Sequence, residues 1–111
     1  MPRQEQLAAA QAVDLAGSID YAPGSVVSKT LVDKKVGTLT LFSFDAGQGL
    51  SEHSAPFDAL VQVLDGEVEI IIGGKPVRAT AGQIVRMPAN VPHALRGIKP
   101  FKMLLTMIRS E

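Results

Sequence analysis

The two stretches GQGLSEHSAPFDALVQVLDG, residues 47–66, and GQIVRMPANVPH, residues 82–93, contain both histidines of the chain, His53 and His93. In each stretch, a short apolar run is bounded by glycine, proline, asparagine or aspartate. This combination is typical of short β-strands joined by tight turns. The apolar runs of the two stretches therefore predict strands of an all-β protein, and each stretch contains one histidine.

The rest of the chain continues this pattern of short strands and turns. The predicted strands span residues 25–30, 37–45, 59–64, 67–72, 84–87 and 102–108. They are rich in Val, Ile, Leu, Thr and Phe, which favour strands. Asp65-Gly66 predicts a two-residue hairpin between two of these strands, and Gly73-Gly74 predicts another turn. Short strands with glycine and proline turns predict an antiparallel sandwich or barrel.

Two of the predicted strands are apolar on both faces, at residues 60–64 and 103–108. Burial on both faces indicates that the outer face of the sheet also packs, for example on a second subunit, and a homodimer is expected. The predicted barrel covers residues 25–111, and residues 1–24 form an N-terminal extension that is a short helix or irregular. Within that extension, the alanine-rich residues 7–15 could form one or two helical turns.

Length, charge and cysteine content exclude several classes of protein. The chain has 111 residues, the size of one domain, and its 11 basic residues balance its 11 acidic residues. No binding to nucleic acid or membranes through bulk positive charge is therefore expected. The lack of cysteine excludes disulfides, cysteine-bound metals and thiol catalysis. No apolar run reaches the roughly 18 residues of a membrane span, so the predicted location is the cytoplasm.

Both histidine-containing segments resemble the two signature motifs of the cupin family. The first motif contains a glycine, His-x-His, a glutamate and a second glycine; the second contains a glycine, a proline and a histidine. The matching residues in this chain are Gly47, His53, Gly66, Gly82, Pro88 and His93. The resemblance implies a jelly-roll barrel of the double-stranded β-helix type, often dimeric, with a ligand site inside the barrel.

The resemblance also implies where a metal would bind, and the chain departs from the family there. Metal-binding cupins take two histidines and a glutamate from the first motif and one histidine from the second. Ala55 stands at the second histidine position, and Ala59 stands at the glutamate position. Only His53 and His93 remain as candidate metal ligands. Two imidazoles without a carboxylate would hold a divalent ion such as Fe, Mn, Ni or Zn only weakly.

The alanines leave space inside the predicted barrel. Odd-numbered residues after His53 are expected to face inward, because side chains alternate along a strand. The predicted pocket residues are His53, Ala55, Phe57, Ala59, Val61, Met87 and His93. An apolar cavity with a few polar groups is the usual composition of a small-molecule site. In the alternative interpretation, side chains such as Phe57, Met87, Leu95 or Met103 fill the interior.

Four other polar or aromatic residues are weaker candidates. Glu52 and Asp58 each lie one residue from a motif position, so strand alternation directs them away from the interior. Arg86 interrupts an apolar run; a surface ion pair is favoured over a role in binding an anion in the pocket. Tyr21, together with Phe57, is expected near the mouth of the site.

Three functions remain open from the sequence. The first is a protein that binds a small organic ligand at His53 and His93, with or without a divalent metal. The second is a metal-dependent cupin enzyme of the oxygenase, isomerase or lyase type. The third is a dimerisation or sensor module without catalysis. A fold shared by many chemistries does not choose among them.

Overall fold

Nine strands form two antiparallel sheets in the computed structural model, which describes residues 7–109. The strands are β1 (Val26–Lys34), β2 (Gly37–Phe44), β3 (Gly49–His53), β4 (Asp58–Asp65), β5 (Glu67–Ile72), β6 (Lys75–Thr80), β7 (Ile84–Met87), β8 (His93–Gly97) and β9 (Phe101–Ile108). One sheet has the strand order β1-β2-β9-β4-β7, and the other has the order β3-β8-β5-β6. The predicted all-β jelly roll is confirmed.

The inner faces of the two sheets form the main apolar core. In β4, Ala59, Val61 and Val63 are buried while Gln62 is exposed, as the predicted alternation requires. Phe44 and Phe101 stack at the centre with their ring centroids 4.3 Å apart. Among residues 7–109, the buried residues of this core are Phe44, Ala59, Val61, Val63, Val68, Ile70, Ala79, Met87, Leu95, Phe101 and Met103.

A second apolar cluster covers the outer face of the five-stranded sheet. Ile19, from the N-terminal segment, is buried there together with Leu31, Leu41 and Leu104. The chain's own N-terminal segment thus explains part of the two-sided apolar pattern. This segment has a 3₁₀ turn at Ala16–Ser18, and the described residues before that turn contain no helix. The homodimer stays a prediction.

No helix among residues 7–109 is long and apolar enough to cross a membrane.

The predicted hairpin at Asp65-Gly66 is wrong, because the two strands it joins belong to different sheets. Gly66 instead forms the corner at which the chain crosses from β4 to β5. It has φ +79°, and a Cβ at this position would overlap the backbone carbonyl of Pro100. Both the conformation and the close approach therefore require glycine. The predicted turn at Gly73-Gly74 is confirmed: it connects the paired strands β5 and β6.

Three strands have no counterpart among the sequence predictions: β3, β6 and β8. The sequences of β6 (KPVRAT) and β3 (GLSEH) lack the apolar run of a typical strand. In the structure, β6 is accordingly mostly exposed, and β3 ends in three exposed residues. The sequence of β8 begins directly at His93, after a proline. Strands β3 and β8 pair with each other and position the two histidines.

Candidate functional site

The two histidines face each other across neighbouring strands. His53 is the last residue of β3, His93 is the first residue of β8, and the two are paired in the sheet. Their rings meet edge to face, with centroids 4.4 Å apart and an interplanar angle of 70°. The Nε2 atoms of the two rings are 3.2 Å apart. Residues forty positions apart in the sequence are thus brought into direct contact.

The three polar contacts of this histidine pair require one more N–H group than two neutral imidazoles contain. The Nδ1 atom of His53 lies 2.8 Å from the Ser51 carbonyl oxygen, and that of His93 lies 3.2 Å from the Val91 carbonyl oxygen. A carbonyl oxygen only accepts, and each neutral imidazole has a single N–H. Two N–H groups therefore serve three contacts: the two Nδ1–carbonyl contacts and the Nε2–Nε2 contact. When both Nδ1–H groups donate to the carbonyls, both Nε2 lone pairs converge and need an outside donor or cation.

The two rings differ in exposure. His93 is 4% exposed, whereas His53 lies at the surface. Burial lowers the pKa of His93 below its ordinary value, and the nearby His53 lowers it further. The hydrogen bond to the Val91 carbonyl opposes this shift without cancelling it. The lowered pKa keeps the buried ring neutral at pH 7, so its Nε2 can accept a hydrogen bond or bind a metal.

A small apolar cavity lies beside the histidine pair. The residues that line it are Leu50, His53, Ala55, Ala59, Met87, His93, Leu95, Met103, Leu105 and Met107. Its volume is about 40 Å³, which is room for a few water molecules. The interior is thus neither a wide pocket nor completely filled: large side chains occupy most of the space beside Ala55 and Ala59, and a small void remains.

Not all seven predicted pocket residues line this cavity. Those that do are His53, Ala55, Ala59, Met87 and His93. Val61 lies in the adjoining core and is completely buried. Phe57 lies outside, in an open cleft with Asp58 and Ile108. It does so because β4 begins at Asp58, so residue 57 belongs to the preceding loop and does not follow the strand alternation.

The cavity also contains residues that the sequence interpretation missed. Met107 and Leu105 come from β9, and Leu50 comes from β3. Met107 is the cross-strand partner of Ala59, and Leu105 is the partner of Val61. Only the register between strands that are distant in the sequence brings these residues to the site, and no local signal in the sequence marks them.

The weaker candidates lie away from the cavity. Arg86 Nη1 forms an exposed ion pair with Asp58 Oδ2 at 3.2 Å, as the favoured interpretation predicted. The other carboxylate oxygen of Asp58 accepts the Ala89 N–H at 2.8 Å, and these contacts lower the pKa of Asp58. Tyr21 does not lie at the mouth of the site, because its hydroxyl donates to Asp65 at the far end of β4.

The donor set beside the cavity falls short of what a divalent cupin metal prefers. Among residues 7–109, no group of three or more histidine, cysteine, aspartate or glutamate side chains could hold a metal ion. The cavity lining offers two imidazole nitrogens and no carboxylate. Non-haem iron prefers two histidines and a carboxylate, and catalytic zinc prefers at least three protein ligands. The described residues therefore do not fit the divalent site implied by the motif resemblance.

Comparison with known proteins gives one family and many similar structures. The family model described as the cupin domain matches residues 40–108 of this chain. A conserved protein of unknown function from Streptococcus pyogenes is 36% identical over 100% of this chain and 97% of its own, with a TM-score of 0.92. A cupin superfamily protein from Desulfitobacterium hafniense is 28% identical over 98% of this chain and 100% of its own, with a TM-score of 0.90.

A Cupin 2 conserved barrel domain protein from Leptotrichia buccalis is also similar to this chain. The identity is 43%, and the TM-score is 0.85. The match covers 87% of this chain but only 47% of the Leptotrichia protein, so this chain spans about half of that relative. Among the curated proteins, no sequence matches this chain.

Proposed function

The chain belongs to the cupin family, and we propose that it binds a small organic ligand that donates a hydrogen bond to the Nε2 atoms of His53 and His93. One observation carries this proposal: the pair has two N–H groups for three contacts. A ligand O–H placed at the two Nε2 atoms supplies the missing donor. The O–H is then shared between the two Nε2 lone pairs as a three-centre hydrogen bond, and both Nδ1–H groups keep their carbonyl partners.

The cavity lining indicates the chemical class of the ligand. Apart from the imidazoles, the described residues around the cavity are alanine, leucine and methionine. They offer no cation for a second charged group and no amide or hydroxyl for a sugar. We therefore propose a ligand with one weakly acidic O–H group that stays protonated at neutral pH, such as a phenol or an enol, and an apolar remainder. A cavity of about 40 Å³ admits only a small part of such a ligand, so the rest lies outside, beside the exposed His53.

Paired probes that differ only in the donor test this proposal. Phenol and its methyl ether, anisole, would be titrated separately into ¹⁵N-labelled protein at neutral pH. The Nε2 resonances of both histidines would be followed by NMR. We expect phenol to shift both Nε2 resonances at concentrations where anisole does not, since methylation removes the donated proton.

Two variants control this experiment. His93→Ala should abolish the donor-dependent response of His53. Arg86→Gln should leave it unchanged, because Arg86 pairs with Asp58 on the surface. The proposal is wrong if phenol is not preferred over anisole, or if the response of His53 persists in His93→Ala.

A further inference from the structure

Besides the imidazole nitrogens, the small cavity beside His53 and His93 has thioether sulfur as a second kind of donor atom. The chain has four methionines, and three of them, Met87, Met103 and Met107, line this one cavity. Thioether sulfur is a soft metal ligand. The cavity therefore combines two imidazole nitrogens with thioethers, and none of its described lining residues is a carboxylate.

Two of these methionines flank a single position. Ala59 on β4 pairs with Met87 on β7 at one side and with Met107 on β9 at the other. Directly paired residues of antiparallel strands project from the same face, with Cβ atoms about 4.5–5.5 Å apart. The cavity beside Ala59 is thus lined by Met87 from one neighbouring strand and by Met107 from the other.

The geometry of the histidine pair suits a metal ion. Two ligands about 2.0–2.1 Å from a tetrahedral ion lie about 3.3 Å apart. The Nε2 atoms of His53 and His93 are 3.2 Å apart. In addition, each Nδ1 lies within hydrogen-bond distance of a backbone carbonyl, the contact that orients a metal-binding histidine with Nε2 toward the ion.

We propose that His53, His93 and the thioethers of Met87 and Met107 form a site for a soft monovalent metal ion, namely Cu(I). Thioethers favour Cu(I), whereas manganese favours oxygen donors, and zinc is bound in proteins by thiolate, imidazole or carboxylate ligands. Charge points the same way: all four donors are neutral, and an ion of charge +1 leaves less uncompensated charge in an apolar cavity than an ion of charge +2. The ion would use the same two Nε2 atoms as the organic ligand proposed above, so the two would bind in competition, and neither proposal requires the other.

Ag(I), which has the same charge and soft character and does not undergo redox chemistry, is the probe for the test. Untagged protein labelled with ¹³C at the methionine methyl groups would be titrated with silver nitrate. We expect the methyl resonances of Met87 and Met107 to shift and to saturate at one equivalent. The Met→Leu variants assign these resonances. Cu(I) affinity would be measured by competition with bathocuproine disulfonate.

Variants separate the thioethers from the packing. We expect Met87→Leu/Met107→Leu and His53→Ala each to weaken Cu(I) binding by at least about tenfold, which is the effect of about 1.4 kcal/mol. Met103→Leu is the matched control, because Met103 is opposite Val63 and not opposite Ala59. We expect it to weaken binding much less, and leucine conserves the volume of methionine at all three positions. Thermal unfolding would show that each variant is folded.

Three results would overturn this proposal. The first is no methyl shift at one equivalent of Ag(I), which would also be the outcome if the ion bound through the histidines alone. The second is tighter binding of Zn(II) than of Ag(I), and the third is an equal loss of Cu(I) affinity in Met103→Leu and in the double variant. The organic ligand is tested separately, by the Nε2 response to phenol without metal. Failure of one proposal is therefore distinguishable from failure of the other.

Discussion

Replacing Ala59 by glutamate tests whether this position faces the histidine pair in a poorly solvated space. Ala59 is 3% exposed and lines the cavity, and no described lining residue carries a fixed positive charge. An ionised carboxylate buried there without a partner costs about 3–5 kcal/mol. In a domain of this length, each kcal/mol lowers Tm by about 4 °C, so Ala59→Glu should lower Tm by about 12–20 °C. Ala59→Gln, which has a similar shape and no charge, should cost only about 1–3 kcal/mol.

Zinc should restore the stability of the glutamate variant alone. The new carboxylate and the two imidazoles would complete a three-ligand zinc set. At a free zinc concentration of one hundred times Kd, binding adds about 2.7 kcal/mol to the free energy of unfolding. Thermal unfolding of the wild type, Ala59→Glu and Ala59→Gln, each with and without zinc chloride, measures this effect. Equal Tm values for the two variants without zinc, or equal stabilisation of the wild type and Ala59→Glu by zinc, would refute the reasoning.

Three further predictions concern the fold that positions the site. Gly66→Ala should lower the urea midpoint more than Gly74→Ala. Both glycines have positive φ, which costs alanine about 1–2 kcal/mol, but of the two only Gly66 would bring a Cβ against backbone atoms. Equal urea midpoints for the two variants would contradict this prediction. Asp58→Asn should reduce stability at neutral pH, because the carboxylate accepts the Ala89 N–H. The pKa of Asp58 is below its ordinary 3.8, so the stability from its charge is present above pH 3.8 and is lost as pH falls through the lowered pKa; an undiminished difference from the wild type in acid-unfolding curves below that pKa would count against it. Ile19→Ala should cost about 2–5 kcal/mol in urea unfolding, because Ile19 is buried in the outer cluster, and a loss well below 1 kcal/mol would mean that the N-terminal segment does not cover the sheet.

The sequence by itself determined the fold class and part of the candidate site. Alternation in β4 and the glycine and proline positions are local features, and they report burial and turns wherever the strand lies. The motif spacing pointed to His53 and His93 as partners, and the alanines at positions 55 and 59 already showed that two of the family's metal donors are replaced. The inferences on burial and turns need only residues that are close together in the sequence, whereas the partnership of the two histidines, forty positions apart, came from the resemblance to the cupin motifs.

Only the tertiary structure decided which distant residues meet. Asp65-Gly66 has the local signal of a hairpin, yet it forms a corner between sheets, because β4 pairs with β9 and β7 instead of β5. Met107 reaches Ala59 through the register of β9, and the shortage of a proton appears only when both imidazoles are placed beside their carbonyls. Strand pairing and register depend on how whole sheets bury their apolar faces. That is a property of the assembled barrel, and no short segment of the sequence contains it.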